Sequence, residues 1–503
     1  MSKLSKFGKN QFGSIAPVMG VAAIPLFMAA GVAVDYGNAV SVKARLQAAV
    51  DAAALAAGRE ANKSNGELER IAKDYFHSNF GTPPNAGTPS MEMTISEAGL
   101  MVEGAVTVDN YLTKVAGFDT TRITASSQVT KEATGLEVVL VFDNTGSMGR
   151  QSRLSTLKVA AHDFVEILFG PREVADTLKI GVVPFSQFVN VGPDKSNAYW
   201  IDKSGQNSYS KANFQSNSWH NWRAWTKIRN RSWTGCVESR AGNRSVDDDL
   251  PVAGIGATLF PPAFAPDEPG NNTWRASFNV GNTTYRYYNS YLNDSRTNSL
   301  DRRQRHQNKY NNASVTTTSR GPDEGCNIQP IQELTNVKAP VLNTINGMKA
   351  DGYTHVAEGV GWGLRVISPA EPFTEGVEYS NDDITKAMVL LTDGENTFNS
   401  ENNHNDSTYT AYGFLDQKRL GSSNYWTAIS KQNSLLQRAC TNVKNAGIVT
   451  YSFAYNVPSA TQRNLIKSCA SDPEKYFDPP SNAALVQNFQ QIADELRKLH
   501  LSQ

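Results

Sequence analysis

The stretch from Val138 to Arg150, VVLVFDNTGSMGR, passes from an apolar segment into one carboxylate, two hydroxyl side chains and two glycines. The apolar part predicts a buried strand that ends at Asp143. An aspartate at this position could be a nucleophile, half of an acid/base pair, a metal ligand, or the cap of the next helix. Each role requires different residues elsewhere in the chain.

Short apolar strands alternate with amphipathic helices on both sides of a long interruption. The strands are predicted at 137–142, 178–184, 387–391 and 448–453, and the helices at 152–169, 357–367, 426–446, 460–468 and 482–499. This pattern indicates a doubly wound α/β domain with a mainly parallel sheet covered on both faces. Ligands of such sheets bind at the carboxyl ends of the strands, which is where Asp143 lies.

The interruption at about 186–336 has a different composition. It is rich in Asn, Ser, Arg and aromatic residues and holds six of the eight tryptophans. A segment this long is not a simple connection, so we expect an inserted subdomain. Its basic run from Asp301 to Tyr310 could bind a sugar, a nucleic acid or a protein. No binding-module motif accompanies the run, which favours the solvated face of a small irregular domain.

The N-terminus carries an uncharged run from Ile15 to Val34, about the length that crosses a bilayer as a helix. Three basic residues precede the run: Lys3, Lys6 and Lys9. The positive-inside bias then predicts that residues 1–14 stay in the cytoplasm and that the bulk of the chain is exported. The run exceeds a typical signal-peptide core, which favours a retained anchor over a cleaved signal.

Residues 35–135 are predicted to form a membrane-proximal module. An alanine-rich helix continues from the anchor and places four larger apolar residues near one face: Val42, Leu46, Val50 and Leu55. The small residues around them suit packing against another helix, or a rigid stalk. Alternation of apolar and polar residues between Met91 and Val129 predicts short antiparallel strands.

Charge and cysteine content limit the classes of partner. The 48 basic residues balance the 48 acidic ones, so no nucleic acid or other strongly charged partner is expected. The four cysteines lack C-x-x-C spacing and allow three pairings. Because each pair then falls within one segment, we expect Cys236 to pair with Cys326 and Cys440 with Cys469, as suits an exported domain.

Enzymatic roles for Asp143 lack the residues they need. In aspartic proteases the carboxylate directly precedes Thr-Gly, whereas Asn144 intervenes here, and the second copy of the motif is missing. Ser147 lacks the Gly-x-Ser-x-Gly elbow of hydrolases. The loop resembles the phosphorylation loop of P-type ATPases but has no lysine. We therefore predict a non-enzymatic protein, with an aspartyl-phosphate enzyme as a remote alternative.

A metal site accounts for more of the sequence. Asp143, Thr145 and Ser147 alternate, so their oxygens can meet at one point and bind a hard cation. Two more oxygen groups are expected from other loops at the same sheet edge. Thr354 precedes a predicted helix, and Asp393 follows a predicted strand. These five residues predict an octahedral Mg²⁺ site, with Mn²⁺ or Ca²⁺ as alternatives.

With these five residues, the chain resembles the von Willebrand factor type A domain and its metal-ion-dependent adhesion site. The resemblance covers about 136–190 and 337–503, so the domain spans 136–503 with the insertion inside it. In that family the first three residues and the threonine ligate the ion, directly or through water, and the last aspartate often holds a bound water. The resemblance implies that an acidic side chain of a partner completes the octahedron.

The N-terminal part resembles the anchor of TadE/TadG-type Flp pilus assembly proteins. The matching stretches are FGSIAPV at 12–18, VDY at 34–36 and RLQAAVDAAALAA at 45–57. TadG-type members join this anchor to a type A domain. The resemblance implies a single-pass protein of the bacterial inner membrane that contacts lipid through its helix and binds a pilus or envelope protein. A cell-surface adhesin for host or matrix ligands is the alternative.

Overall fold

The computed structural model describes residues 15–60, 63–96, 99–129, 135–294 and 299–501. The chain divides into two compact units, with the boundary between residues 132 and 133. The predicted cytoplasmic segment, residues 1–14, lies outside the described residues.

The first unit combines two helices with a three-stranded antiparallel sheet in the order β1-β2-β3. Its elements are α1 (Ile15–Gly58), α2 (Asn65–Phe80), β1 (Ser90–Ser96), β2 (Gly99–Asp109) and β3 (Thr120–Val129). The antiparallel strands were expected from the alternation. Helix α2 was not, although it begins with a favourable end, since the backbone N–H of Ser64 donates to the carboxylate of Glu67 at 3.1 Å.

The core of this unit lies along one face of α1. Val42, Leu46 and Val50 are buried there and pack with Phe76 of α2. The expectation for Leu55 was wrong, since its side chain is 57% exposed. A helix turns about 100° per residue, so Leu55 lies about 140° from Val50, and alanines continue the buried face instead. Helix α1 therefore packs against α2 and the sheet and is not a free stalk.

The second unit is an α/β domain. Its strands are β4 (Gly135–Asp143), β5 (Leu178–Phe185), β6 (Val189–Asn190), β7 (Cys236–Val237), β8 (Ala276–Val280), β9 (Thr283–Tyr287), β10 (Gln332–Thr335), β11 (Ile384–Thr392), β12 (Val449–Ala454) and β13 (Tyr476–Phe477). Its helices are α3 (Arg153–Phe169), α4 (Asn221–Lys227), α5 (Leu300–Arg305), α6 (Lys338–Gly347), α7 (Val356–Ile367), α8 (Tyr425–Asn445), α9 (Ala460–Lys467) and α10 (Asn482–Leu501).

The main sheet has the order β10-β5-β4-β11-β12-β13. All neighbouring strands are parallel except β10, which runs antiparallel to β5. The predicted mainly parallel sheet is therefore confirmed. Strand β4 is central, with β5 on one side and β11 on the other, so its carboxyl end lies where the strand order switches.

Both faces of the sheet are covered. Val138, Leu140 and Phe142 of β4 join one cluster with residues of α3, α6 and α10. Val139 and Val141 point the other way and join a second cluster with α7 and α8. Alternation along one fully buried strand thus places helices on both sides, as a doubly wound domain requires.

The insertion shares the core of the domain. Trp200, Trp219, Trp225 and Trp233 are 2–6% exposed and belong to the same cluster as Val141 of the sheet. Four of the six tryptophans in the insertion are therefore buried on the α7 face, where they stabilise the fold and offer no surface to a ligand.

The basic run of the insertion is also structural. Nζ of Lys309 lies 2.8 Å from Oδ2 of Asp267, and both side chains are buried. Arg303 forms an ion pair with Asp294. These charges are neutralised inside the insertion, so the run is neither a free basic patch nor a wholly solvated face.

Two disulfides join the cysteines in the expected pairs. Cys236–Cys326 closes a 90-residue separation within the insertion, and Cys440–Cys469 links α8 to the end of α9 across 29 residues. Each bridge stabilises its region mainly by restricting the unfolded chain.

Candidate metal centre

Asp143 ends β4 and is fully buried. Its Oδ1 accepts a hydrogen bond from the backbone N–H of Thr145 at 2.8 Å, and its Oδ2 accepts one from the hydroxyl of Thr392 at 2.6 Å. The carboxylate is therefore fixed from two sides. It does not cap the next helix, since α3 begins at Arg153 with Ser152 at its N-cap.

The two hydroxyl residues of the same loop connect Asp143 to a distant strand end. Oγ1 of Thr145 lies 3.0 Å from Oγ of Ser147. The Ser147 hydroxyl donates in turn to Oδ1 of Asp393 at 2.6 Å. Residues 246 positions apart thus form one continuous set of oxygens at the edge of the sheet.

The loop before α7 brings the fifth residue. Its backbone is joined to the β4 loop by two hydrogen bonds, from Asp351 N to Asn144 O at 2.7 Å and from Gly146 N to Gly352 O at 3.0 Å.

The position of Thr354 follows from its neighbour Gly394. A β-carbon on Gly394 would lie 3.4 Å from Oγ1 of Thr354 and 3.8 Å from Oγ of Ser147, so both hydroxyl oxygens lie within 4 Å of one point. The structure therefore brings all five predicted residues to one edge of the sheet: Asp143, Thr145, Ser147, Thr354 and Asp393.

The donor set fits a hard divalent cation. It comprises two carboxylates and three hydroxyls, all oxygen ligands of the kind that Mg²⁺ and Mn²⁺ accept. Burial and, to a smaller extent, the neighbouring Asp393 carboxylate raise the pKa of Asp143 to about 7, against the hydrogen bonds from Thr145 and Thr392, which lower it. Asp143 and Asp393 are both buried, so the two carboxylates oppose each other's ionisation, and a cation would relieve that repulsion.

This set differs from the usual clusters of ionisable ligands. Within the described part of the chain, no group of three or more His, Cys, Asp or Glu side chains is arranged to hold a metal. The candidate centre has only two carboxylates, so most of its possible ligands are neutral hydroxyls.

The sequence did not predict two residues that hydrogen-bond the carboxylates of the candidate centre, Thr392 and Arg153. Thr392 follows the residue that pairs with Phe142, so aligning the ends of β4 and β11 would have placed it beside Asp143. Arg153 donates from Nη1 to Oδ2 of Asp393 at 2.7 Å. No local signal distinguishes it from the nearby Arg150, because only the fold shows which of the two faces the centre.

The family comparison concerns the N-terminal helix. Residues 13–60 match the family described as putative Flp pilus-assembly TadE/G-like. The N-terminal segment of this protein is TadE/G-like. Among the described residues, one helix, at Val18–Gly58, is long and apolar enough to cross a membrane by length and composition. The expected resemblance of this segment is confirmed.

Solved structures similar to this chain include the vWF domain of the type V pili tip protein Mfa5 from Porphyromonas gingivalis, at 11% identity and a TM-score of 0.33, covering 72% of this chain and 95% of that one. The pilus adhesin SpaC from Lactobacillus rhamnosus GG has 12% identity and a TM-score of 0.33, covering 83% and 36%. Proximal thread matrix protein 1 from the mussel byssus, with a zinc-occupied MIDAS motif, has 11% identity and a TM-score of 0.27, covering 73% and 46%.

Similarity at this level decides neither the fold nor the site, which rest on the sheet order and the loop contacts. No curated protein matches the chain.

Proposed function

We propose that this TadE/G-like chain is a membrane-anchored envelope protein that takes part in assembling Flp, or tight-adherence, pili through metal-dependent binding of a partner protein. The observation that carries the proposal is the meeting of three loops at the switch point of an α/β sheet, in a chain with a TadE/G-like anchor. Five oxygen-bearing side chains converge there.

The proposed ligands of Mg²⁺, or of Mn²⁺ or Ca²⁺ in its place, are Asp143, Thr145, Ser147, Thr354 and Asp393. When bound, such a cation would offer a coordination position to an acidic side chain of the partner. The protein's own contribution is orientation. The Thr145 backbone and the Thr392 hydroxyl hold Asp143, and paired backbone hydrogen bonds fix the loop that carries Thr354.

The function is proposed to be non-catalytic. Asp143 is fully buried and both of its oxygens accept hydrogen bonds from the protein, an arrangement that suits a ligand better than an attacking nucleophile. Incubation with labelled ATP tests the remote alternative. Label on Asp143 would identify an aspartyl-phosphate enzyme, and the proposal requires that none be found.

The proposed location is the bacterial inner membrane, with a single pass, the N-terminus in the cytoplasm and the bulk of the chain outside. The apolar helix supports the anchor. The two disulfides support export of the second unit, since disulfides persist in oxidising compartments.

Calorimetry of the detergent-solubilised full chain with Mg²⁺ or Mn²⁺ tests the centre. We expect saturable binding to the wild type and none to Asp143→Ala. Asp176→Ala, which removes an exposed aspartate of the same unit, is the matched control and should bind normally. Equal heats from the wild type and Asp143→Ala would contradict the metal proposal.

Cross-linking in envelope extracts tests the partner. A pilus or envelope protein should be captured with cation present and lost with a chelator or with Asp393→Ala. Fractionation separates the proposal from the adhesin alternative. Retention in the inner membrane supports an assembly role, whereas release to the outer surface would favour an adhesin for host or matrix ligands.

A further inference from the structure

The connection between β2 and β3, residues 110–119, is held against α1; we call it the interface loop. Asp35 of α1 holds the loop in place. Its carboxylate accepts hydrogen bonds from the backbone N–H of Tyr111 at 2.8 Å and of Thr113 at 2.7 Å, and from the Thr113 hydroxyl at 2.7 Å. One carboxylate thus binds the turn at several points and fixes its position along the helix.

The contact extends one helical turn further toward the N-terminus. A β-carbon on Gly31 would lie only 2.8 Å from Cβ of Leu112, so the loop approaches the helix as closely as a glycine permits. Gly31 and Asp35 are buried, while Val32 and Val34 between them are more than half exposed. The loop therefore covers a single narrow face of α1.

Gly31 belongs to the uncharged run that ends at Val34. Gly31 lies three residues before the end of the run, and three residues of helix rise about 4.5 Å, so the loop reaches from just beyond the run to about 4.5 Å inside it. A bilayer that contains the run must accommodate the loop as well, at the level where hydrocarbon meets headgroups.

The exposed side chains of the loop suit that level. Val115 is 92% exposed, Phe118 67%, Tyr111 50% and Leu112 49%. An exposed cluster of this composition is uncommon on a surface that faces only water. Aromatic rings and a nearby lysine, here Lys114, are typical of the interface of a bilayer.

We infer that the interface loop is inserted into the outer interfacial layer of the bilayer beside the anchor, where Leu112, Val115 and Phe118 contact lipid. This inference rests on the proposed anchoring of α1 in the membrane. It goes beyond that anchoring because it gives the first unit a second segment in contact with lipid, one that does not span the bilayer.

The opposite end of the sheet provides a control position, an exposed apolar residue far from the membrane segment. A β-carbon on Gly58 would lie 2.8 Å from Cγ1 of Val129, at the end of β3. Val129 pairs with Leu100, which pairs in turn with Ile95. Ile95 therefore lies near Gly58, about 40 Å along the helix from Gly31, and its side chain is also exposed.

Single cysteines at three positions test the inference in the full chain. All four native cysteines are in disulfides, so an introduced thiol is the one that reacts. Val115→Cys, Ile95→Cys and Phe27→Cys are each labelled with NBD and reconstituted into phosphatidylcholine–phosphatidylglycerol vesicles. The same vesicles with brominated acyl chains quench a label that contacts lipid.

We expect blue-shifted emission that bromolipid quenches at Val115 and at Phe27, with aqueous, unquenched emission at Ile95. Quenching at Phe27 without quenching at Val115 overturns the inference and leaves the anchor intact. A blue shift at Val115 that bromolipid does not quench also overturns it, because a protein would then cover the loop. Absence of quenching at both positions refutes the anchoring itself.

Discussion

Arg153 and Asp393 form a charged hydrogen bond at the candidate centre, from Nη1 to Oδ2 at 2.7 Å. The other carboxylate oxygen, Oδ1, accepts from Ser147 at 2.6 Å. Asp393 is thus shared between a proposed ligand and a cationic side chain, and the Arg153 side chain is only 16% exposed. A guanidinium in this position competes with a divalent cation for the same carboxylate.

Replacing Arg153 by Gln should therefore tighten cation binding. Removal of one positive charge several ångströms from a divalent ion is worth roughly 1 kcal/mol, or about a fivefold lower dissociation constant. Calorimetry with Mg²⁺ measures it. Arg153→Lys keeps the charge and should bind close to the wild type, and an Arg153→Gln variant with weaker binding would show that the arginine supports the centre.

Thr392→Val should destabilise the second unit. The substitution keeps the side-chain shape but removes the hydroxyl that donates to Oδ2 of Asp143 at 2.6 Å. A buried carboxylate oxygen left without a donor costs about 1–3 kcal/mol. Denaturant unfolding in the presence of a chelator measures the change. Thr392→Ser retains the hydroxyl, so its free energy of unfolding should fall less than that of Thr392→Val. Equal losses of stability in the two variants would mean that the hydrogen bond contributes nothing.

The sequence could predict which residues meet at this edge of the sheet because the signals are local. Asp143 and Asp393 each follow an apolar strand, and carboxyl ends of neighbouring parallel strands meet at one edge. Thr354 could be found because it precedes a strongly periodic helix. The predicted strands overlap β4, β5, β11 and β12, because full burial leaves continuous apolar runs, whereas α6, β10 and β13 were not predicted.

The insertion could not be predicted in the same way. Trp219 and Trp225 lie in a segment of short elements without sustained periodicity, and their burial depends on packing within a cluster that also holds Val141 and other residues distant in the chain. The ion pair between Lys309 and Asp267 joins residues 42 positions apart. Such pairings are set by tertiary packing, which leaves no local pattern.

Loss of the Cys440–Cys469 disulfide should destabilise the second unit. The bond closes 29 residues, and a loop of this length removes about 3–4 kcal/mol of chain entropy from the unfolded state. Thermal unfolding of Cys440→Ala/Cys469→Ala against the wild type measures it. The Cys236→Ala/Cys326→Ala pair, whose bond spans 90 residues, should lose slightly more by the same reasoning.

Gly363→Ala should cost about 1–2 kcal/mol even though alanine favours helices. The added β-carbon would lie 2.5 Å from Cγ2 of Val141, so α7 could no longer pack as closely on the sheet. Denaturant unfolding of Gly363→Ala, Val141→Ala and the double variant measures the coupling. The double variant should lose less free energy of unfolding than the sum of the two single variants' losses. A loss equal to that sum would show that the contact with Val141 does not cause the destabilisation by Gly363→Ala.

Glu324 gives the second unit a pH-dependent stability. It lines a small cleft with Glu268. Its pKa is raised to about 7, mainly by burial and also by the carboxylates of Glu268, Asp351 and Asp323, while Arg320 lowers it. A carboxyl group whose folded pKa exceeds its unfolded value binds more protons when folded. Its contribution to stability is therefore present at low pH and is lost as the pH rises from about 4.5 to about 7.

Glu324→Gln should remove this dependence, because the amide stays neutral at every pH. At pH 7.5 we expect a free energy of unfolding higher by about 1 kcal/mol, after allowance for partial exposure, and a Tm higher by about 2 °C. At pH 4.5, where the carboxyl group of the folded protein is protonated, Glu324→Gln and the wild type should have the same Tm. Glu474→Gln replaces an exposed glutamate, and its change in Tm between pH 4.5 and pH 7.5 should equal that of the wild type. Equal effects of Glu324→Gln at both pH values would show that the carboxyl group ionises as freely in the folded protein as in the unfolded chain.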